Sequence, residues 1–462
     1  MSNPNESGCA PGIGAKVDWH VPMDPDFEPA FPPVEYGERR GRIFDAIGEA
    51  SAIIQGAAPV RGYDVFRQTN DVLYVTGIEI PQIFILLDGE ARKTRLYIKS
   101  RGDKAADSEG AILGAEDAEQ LVGMFGVDEV CPTEMLAAHL KDVKVLYTPH
   151  APADGPQSAR DTLRHSNSLR AADFWTPEIA REFLFIGRIR SLYPRMEVRD
   201  LTPILDKLRD VKTPCEIKMM RRAGKLTGVA VREAIRASRP GMYEYQLGAI
   251  ASFIYLMNGA RGDGYRAIIA SGPANTWFSH YWKNNCPLKD GDMVLMDVAP
   301  EVAGYTSDIG RMWPVNGKYA PWQRELYGWV VEYHKVLLAK TRAGVSADQV
   351  MDECAEVMTK LHATWNWSKD VYKEAARRTL EFRGHLSHPV GLSVHDVGNY
   401  REGVLEPGET FAIDPQMWVP EEQLYIRVED TGVVTETGFE VYTADAPLEL
   451  DDIEKLIAEA RS

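Results

Sequence analysis

The chain has 462 residues, more than one hydrophobic core usually organises, so two or three domains are expected. Hydrophobic residues make up 44% and charged residues 26%, a composition typical of a globular enzyme and not of a fibrous or disordered chain. The formal net charge of -16 opposes binding to phosphate backbones and anionic membranes, so we expect neither nucleic acid nor a membrane as a partner.

The cysteines indicate a reducing compartment. They are odd in number and form no CxxC pair, which predicts neither a disulfide framework nor a thiolate zinc site. The polar stretch 1–16 lacks the apolar segment of a signal peptide, and no apolar run is long enough to cross a bilayer. We therefore expect a cytoplasmic protein.

The first part of the chain predicts an irregular arm followed by an α/β domain. Residues 1–35 are rich in proline and acidic groups, which favours the arm. Within 36–199, Ile83–Leu87 and Leu96–Lys99 predict two strands joined by a turn, and Val143–Tyr147 predicts another strand.

A second domain, residues 200–462, is predicted because a clear helix-start signal follows the α/β pattern of the first. Thr213-Pro214-Cys215-Glu216 has the residues of a capping box and begins a helix, and a second helix is predicted over Tyr243–Met257. Strand patterns then dominate, which indicates an α+β domain with helices on one side of a mainly antiparallel sheet. The predicted strands are Ala267–Ala270, Met293–Val298, Gly310–Pro314, Phe411–Ile413, Leu424–Val428 and Gly432–Thr435.

Two carboxylates stand close to the ends of neighbouring predicted strands. Asp297 ends the apolar run Met293–Met296, and Asp308 follows eleven residues later, past a predicted turn near Gly304. A hairpin of that length brings both carboxylates to one part of a sheet. Because two close carboxylates repel each other, such a pair needs a cation or a shared proton.

Further acids and histidines repeat this placement. Asp414 and Glu429 each follow an apolar strand, and His388 and His395 frame Pro389–Val394. Together these oxygen and nitrogen donors form a ligand set suited to Mn, Fe, Co or Zn. A single Asp at a strand end is more often a turn former, so the spacing alone leaves both a metal site and structural roles open.

An ordered series of motifs resembles the aminopeptidase P and prolidase family of pita-bread metallopeptidases. The resemblance extends over about residues 37 to 445. Its motifs are Phe66–Asp71, Tyr74–Gly77, His280–Asp297, Tyr305–Arg311, Ser387–Gly398 and Ile426–Asp430. It implies an N-terminal α/β domain followed by a pita-bread (creatinase/aminopeptidase-like) catalytic domain.

The resemblance also implies a ligand set for two divalent metal ions, with manganese expected first. Asp297 would bind one metal, Asp308 and Glu429 would bridge both, and His388 and Asp414 would complete the second. A hydroxide between the metals would attack the Xaa-Pro bond of a peptide. The resemblance further implies a homo-oligomer, either a dimer or a tetramer.

Three further residues receive roles from the same resemblance. His395 would stabilise the tetrahedral oxyanion, and Arg427 would orient the carboxylates through charge-assisted hydrogen bonds. His280 would contact the substrate or carry protons, although its aromatic surroundings also suit a residue of the pocket wall. His385 is interpreted as a neighbour of the site and not as a ligand, and His334 as an ordinary surface or core residue.

The sequence departs from the family pattern at two positions. Asp414-Pro415-Gln416 stands where the family has Glu-Pro-Gly, which shortens a residue expected both to bind metal and to carry a proton. Leu73 stands where an aromatic residue of aminopeptidase P helps to line the pocket. Specificity for proline is therefore less well supported by the sequence than metal binding.

Three functions follow from these observations. The first is an exopeptidase that removes the residue preceding proline. The second is a pita-bread enzyme with changed chemistry, such as a C–N hydrolase or a lyase acting on a small charged molecule. The third is a member without catalysis that binds peptides. The five retained ligand positions favour the first.

Overall fold

The computed structural model describes residues 17–24, 27–28, 30–60, 62–101 and 113–462. The chain divides into a first unit, Glu28–Arg209, and a second unit made of Met1–Phe27 and Asp210–Ser462. This division lies ten residues beyond the start at residue 200 that the sequence suggested. Arg209 belongs to the first unit because its buried guanidinium pairs with Asp71 and Asp154 at 2.9 and 3.1 Å.

The predicted arm, residues 1–35, lies only partly within the described residues, and Pro25 and Pro29 lie outside them. The backbone amide of Val21 donates to Asn258 Oδ1 at 2.9 Å, within the second unit. The first helix begins at Pro33, inside the predicted arm, because the fixed φ of proline suits the first helical turn.

The first unit alternates helices and strands around a mixed sheet of order β4-β3-β2-β1-β5-β6. The predicted hairpin is confirmed, because β2 and β3 pair antiparallel with Asp88 opposite Lys93. Ile53, Leu86 and Leu146 lie in the core of this unit. Its elements are α1 (Pro33–Ile47), β1 (Ser51–Gln55), α2 (Asn70–Thr76), β2 (Phe84–Asp88), β3 (Lys93–Ile98), α3 (Ala118–Phe125), β4 (Glu129–Pro132), α4 (Leu136–His139), β5 (Val145–Thr148), α5 (Arg160–Ala171), α6 (Arg181–Leu192), β6 (Glu197–Asp200) and α7 (Thr202–Asp210).

The second unit begins with the predicted capping box, which is confirmed. Thr213 Oγ1 accepts from the amide of Glu216, and the Glu216 carboxylate accepts from the amide of Thr213. The elements that follow are α8 (Pro214–Ala237), α9 (Glu244–Met257), β7 (Gly262–Asp263), β8 (Ile268–Ser271), α10 (Pro273–Thr276), β9 (Met293–Asp297), β10 (Pro300–Glu301), β11 (Ile309–Pro314), α11 (Pro321–Lys340), α12 (Ala347–Thr364), α13 (Asp370–Glu381), β12 (Leu386–Pro389), β13 (Thr410–Ile413), β14 (Gln416–Val419), β15 (Leu424–Arg427), β16 (Glu429–Thr435), β17 (Gly438–Val441) and α14 (Leu450–Arg461).

The main sheet of the second unit has the order β12-β13-β16-β11-β9-β8, with β17 beside β16. Its described pairings are antiparallel, as the sequence predicted. Leu226 of α8, Ile250 of α9 and Trp329 of α11 share one hydrophobic core with Leu295 and Trp313 of the sheet. Within the described residues, no helix is both long and apolar enough to cross a membrane.

Glu429 was predicted to follow the apolar strand Leu424–Val428, and in the structure it lies after the end of β15 at Arg427. Glu429 begins β16, because the chain changes its pairing partner at Val428. Arg427 on β15 pairs with Gln416 in a separate two-stranded sheet, whereas Glu429 pairs with Gly310 in the main sheet.

Candidate metal centre

Three neighbouring strands place acidic residues around one glycine. Gly310 on β11 lies opposite Asp297 on β9 and opposite Glu429 on β16. A Cβ atom at Gly310 would lie 3.1 Å from the Cβ of Glu429 and 3.3 Å from Nε of Arg427. The absence of a side chain at Gly310 therefore leaves the space that these charged groups occupy. Asp308 immediately precedes the same strand.

Asp308, His388 and Glu429 come together as a cluster of possible metal ligands. One donor atom from each lies within 4.8 Å of the others. His388 Nε2 is 3.5 Å from Asp308 Oδ2 and 3.8 Å from Glu429 Oε1. Glu429 Oε1 is buried and has no hydrogen-bond partner among the described residues. A buried carboxylate oxygen without a donor is costly unless a cation or proton meets it.

The electrostatics of the cluster fit a divalent cation. Burial raises the pKa of Asp308 well above its usual value, and the neighbouring Asp297 raises it further. Burial also raises the pKa of Glu429 well above its usual value, against the opposing effect of Arg427. Burial lowers the pKa of His388, and His395 lowers it further, so its imidazole is neutral and able to ligate. Two crowded carboxylates beside a neutral imidazole form a suitable donor set for a divalent metal.

The other two predicted ligands, Asp297 and Asp414, make hydrogen bonds with protein donors. Asp297 Oδ2 accepts from Arg427 Nη1 at 2.8 Å, and Asp297 Oδ1 lies 2.6 Å from the Tyr265 hydroxyl. Asp414 Oδ1 accepts from Arg427 Nε at 2.9 Å, and its second oxygen accepts from the Gln416 side-chain amide. Both carboxylates are buried and adjoin the cluster through Arg427.

Arg427 links carboxylates from three different strands or strand ends. Besides Asp297 and Asp414, its guanidinium donates to Glu429 Oε2. Burial would lower the pKa of Arg427, but Asp414, Glu429 and Asp297 outweigh it and raise the pKa well above its usual value. The guanidinium therefore stays charged and fixes the orientation of three of the four predicted acidic ligands.

Tyr265 is a site residue that sequence reasoning missed. Its buried hydroxyl lies 2.6 Å from Asp297 Oδ1 and 2.6 Å from Asp308 Oδ1. A tyrosine hydroxyl has one proton to donate, so Asp297 and Asp308 share a single donor here. No local motif marks Tyr265, which lies 32 residues before Asp297.

A second missed group lies beside Glu429. Arg311 donates both hydrogen bonds of a bidentate pair to Asp430, at 2.8 and 2.9 Å, and also donates to the backbone oxygen of Glu429. His334 Nε2 is 2.8 Å from Asp430 Oδ2. Burial opposes ionisation of Asp430, but Arg311 and His334 outweigh it and hold its pKa well below the usual range. These buried hydrogen bonds link β11 to β16 next to Asp308 and Glu429.

The remaining predicted histidines divide into two groups. The ring centroids of His395 and His388 are 4.0 Å apart, and those of His280 and His395 are 6.5 Å apart, so both predicted catalytic histidines lie beside the cluster. Burial lowers the pKa of His280, and Arg427 lowers it further. His385 is not in the cluster: its Nε2 pairs with the Thr379 carbonyl at 2.8 Å.

Comparison with known families gives two matches that together span most of the chain. The model of metallopeptidase family M24 matches residues 218–436, and the model of the aminopeptidase P N-terminal domain matches residues 36–147. The first match contains the strands and loops that carry the cluster, and the second lies within the first unit.

Individual relatives agree with these matches. The chain is 32% identical to the Xaa-Pro aminopeptidase of Escherichia coli (strain K12), an alignment that covers 92% of this chain and 98% of the relative. The structure of E. coli aminopeptidase P with the inhibitor Pro-Leu superposes with a TM-score of 0.76 at 29% identity, covering 93% of this chain and 99% of that one. A Zn-substituted form of that protein with product has a TM-score of 0.75 at 30% identity, over 94% and 99% of the two chains.

Proposed function

Because this chain belongs to metallopeptidase family M24 and carries an aminopeptidase P N-terminal domain, we propose that it is a metal-dependent exopeptidase hydrolysing the Xaa-Pro bond at peptide N-termini. The fold is the one predicted from the sequence, an N-terminal α/β domain followed by a pita-bread catalytic domain. For the domain bounds we propose 36–199 and 200–462, and the matched ranges lie inside them.

The observation that carries the proposal is the buried cluster of Asp308, His388 and Glu429. We infer that Asp297, Asp308, His388, Asp414 and Glu429 would hold two divalent metal ions. Asp308 and Glu429 would serve both ions, Asp297 the first, and His388 and Asp414 the second. Bound metal ions would supply Lewis acidity, which lowers the pKa of water and polarises the scissile carbonyl.

Residues around the cluster would perform the remaining steps. We propose that His395 donates a hydrogen bond to the carbonyl oxygen as negative charge develops on it, and that His280 contacts the substrate or carries protons. The short distances between the His280, His388 and His395 rings support these roles. Asp414 would pass a proton to the departing amine, while Arg427 keeps the carboxylates oriented.

The metal, assembly and location are also proposals. We propose manganese, with Fe, Co or Zn as alternatives, because the donor set is rich in oxygen. We propose a homo-oligomer, either a dimer or a tetramer. A cytoplasmic location is supported by the cysteines of the described residues, since Cys131, Cys215, Cys286 and Cys354 form no disulfide there; Cys9 lies outside them.

The alternative function, a C–N hydrolase or lyase acting on a small charged molecule, is not favoured by the Xaa-Pro aminopeptidase relatives. Two departures from the family pattern make substrate specificity the point to test. Asp414 replaces the usual Glu, and Leu73, half-buried on α2, replaces the usual aromatic residue.

The proposal can be tested with Ala-Pro-Phe, offered with a free and with an acetylated N-terminus. An exopeptidase of this kind releases alanine from the free peptide and leaves the acetylated one intact, as mass spectrometry would show. If no Xaa-Pro peptide is cut with Mn, Co, Zn or Fe, the changed-chemistry hypothesis replaces this proposal.

A further inference from the structure

The segment that carries His395 folds back on itself after β12. This segment, residues 389–399, is called the His395 loop below. The amide of Asp396 donates to the carbonyl oxygen of Pro389 at 2.9 Å, which closes the loop at its base. The imidazole of His395 lies beside that of His388, with ring centroids 4.0 Å apart. The position of this imidazole therefore depends on how the His395 loop is held.

A buried ion pair lies immediately next to His395. Lys212 Nζ is 3.5 Å from Oδ2 of Asp396, the residue that follows His395, and each of the two side chains is only 1% exposed. Burial of a charged group costs free energy unless an opposite charge or hydrogen bonds compensate for the lost water. Asp396 is therefore held where it meets the Lys212 ammonium, and this constrains the backbone on one side of His395.

Gly391 lets both charged side chains approach the backbone of the loop. A Cβ atom at Gly391 would collide with Asp396 Oδ2 and would lie 3.0 Å from Lys212 Cε. The carbonyl oxygen of Gly391 accepts from the amide of Thr306 at 2.9 Å, two residues before Asp308. The ion pair thus packs against the point where the His395 loop meets the segment that leads to Asp308.

Lys212 is fixed by contacts outside the His395 loop. Its amide donates to the carbonyl oxygen of Gly408 at 2.9 Å, two residues before β13 begins. Its ammonium also donates to the backbone oxygen of Asp210 at 3.2 Å. Because these contacts hold Lys212 in place, its ammonium can in turn fix the position of Asp396.

We propose that Lys212 is a positioning residue for His395, which it orients through the ion pair with Asp396. The inference rests on the proposed function, in which His395 stabilises the developing oxyanion. Without the ammonium, the Asp396 carboxylate would move towards water or take up a proton, and the His395 loop would shift with it. Displacement of a catalytic group by about 1 Å can lower the rate on the order of 10²-fold.

Lys212→Met tests this role, because it removes the ammonium and nearly keeps the length of the side chain. We expect kcat for Ala-Pro-Phe to fall by about 10–100-fold, while KM and metal content stay close to wild type. Lys218→Met removes the same charge from an exposed position on α8, and this matched control should change none of the three quantities. An unchanged kcat in Lys212→Met would overturn the proposal.

The same substitution in the His395→Ala background distinguishes positioning from a general loss of stability. A residue that acts through His395 has nothing left to position there, so Lys212→Met should lower kcat by less than about 2-fold in that background. Equal fold losses in the two backgrounds would show that Lys212 acts independently of His395, and would overturn the proposal.

A crystal structure of metal-free Lys212→Met tests the inference without any activity measurement. The His395 ring should be displaced from its position beside His388, and an unmoved ring would overturn the proposal. If Lys212→Met does not fold, Asp396→Asn breaks the same ion pair with little change of shape and replaces it in every measurement. A wild type that cuts no Xaa-Pro peptide would contradict the proposed function alone, because the displacement of His395 is measured without substrate.

Discussion

Arg427 donates from Nε to Asp414 Oδ1 across 2.9 Å. The same guanidinium reaches Asp297 and Glu429, and Gln416 occupies the second oxygen of Asp414. The carboxylate that departs from the family pattern is thus fully buried and held by two protein donors. Asp is about 1.5 Å shorter than Glu, whereas metal–oxygen distances tolerate only about 0.2 Å, so the surroundings must compensate for the lost reach. The two donors that hold Asp414 fit a site adapted to the shorter side chain.

Asp414→Glu distinguishes an adapted site from a decaying one. In an adapted site the extra methylene crowds the carboxylate against Arg427 and Gln416, so the variant should bind metal less tightly and turn over more slowly. Metal titration of both proteins, followed in parallel with activity, measures this. Tighter metal binding together with faster turnover in the variant would show instead that the wild-type site is decaying.

Tyr265→Phe should weaken metal binding. The hydroxyl holds Asp297 and Asp308 at 2.6 Å each, and loss of such an outer partner typically costs about 10–100-fold in metal affinity. Calorimetric titration of metal-stripped protein gives the affinity. Tyr333→Phe is the control, because that buried hydroxyl has no hydrogen-bond partner among the described residues. Equal metal affinities in wild type, Tyr265→Phe and Tyr333→Phe would show that Tyr265 does not support the metal site.

His395→Ala should lower kcat by about 10²–10³-fold, the usual loss for one oxyanion donor. Metal content should stay at the wild-type level, because His395 is assigned no ligand role. Elemental analysis and steady-state kinetics on the same preparation separate the two effects. A variant that loses metal in proportion to activity would contradict the assignment.

We expect the folded protein to lose stability in acid because of His385. Burial lowers its pKa to about 4, so the folded chain resists protonation of this imidazole whereas the unfolded chain accepts a proton near the ordinary value of 6.5. The contribution of neutral His385 to the free energy of unfolding is therefore fully present above about pH 6.5. It falls as the pH drops, by about 2 kcal/mol between pH 7 and pH 5.

Urea unfolding of metal-free wild type and His385→Gln at both pH values measures this contribution. Glutamine can keep the hydrogen bond to the Thr379 carbonyl but does not titrate. The wild type should therefore lose more stability than the variant on acidification. An identical loss in both proteins would show that His385 is not the titrating group.

Much of the candidate site could be predicted because its acids follow visible apolar runs. Asp297 ends β9 and Asp414 follows β13, both buried strands whose pattern the sequence displays. The capping box at Thr213 is equally local and was predicted for the same reason. The sequence did not show that Glu429 itself begins a new strand, because the change of pairing partner at Val428 depends on tertiary contacts and not on the alternation of side chains.

Two residues that meet the candidate site only through tertiary packing could not be predicted from the sequence. Tyr265 meets Asp297 and Asp308 across the fold, and His334 meets Asp430 from a helix 96 residues earlier. Neither has a motif or spacing that marks it, because its partner is set by how strands and helices pack. The family resemblance implied that Arg427 orients carboxylates, but which three of the four acids it contacts depends on the same packing.

The central claim is metal-dependent cleavage before proline, and paired peptides test it most directly. Metal-stripped protein restored with Mn should hydrolyse Ala-Pro-Ala at least about 100-fold faster than Ala-Ala-Ala, since a pocket shaped for one side chain discriminates by this order. Chelator should abolish the activity, and Asp308→Ala should be inactive and lose both metals. Equal cleavage of the two peptides, or cleavage of Ala-Pro-Ala that persists in chelator, would contradict the account.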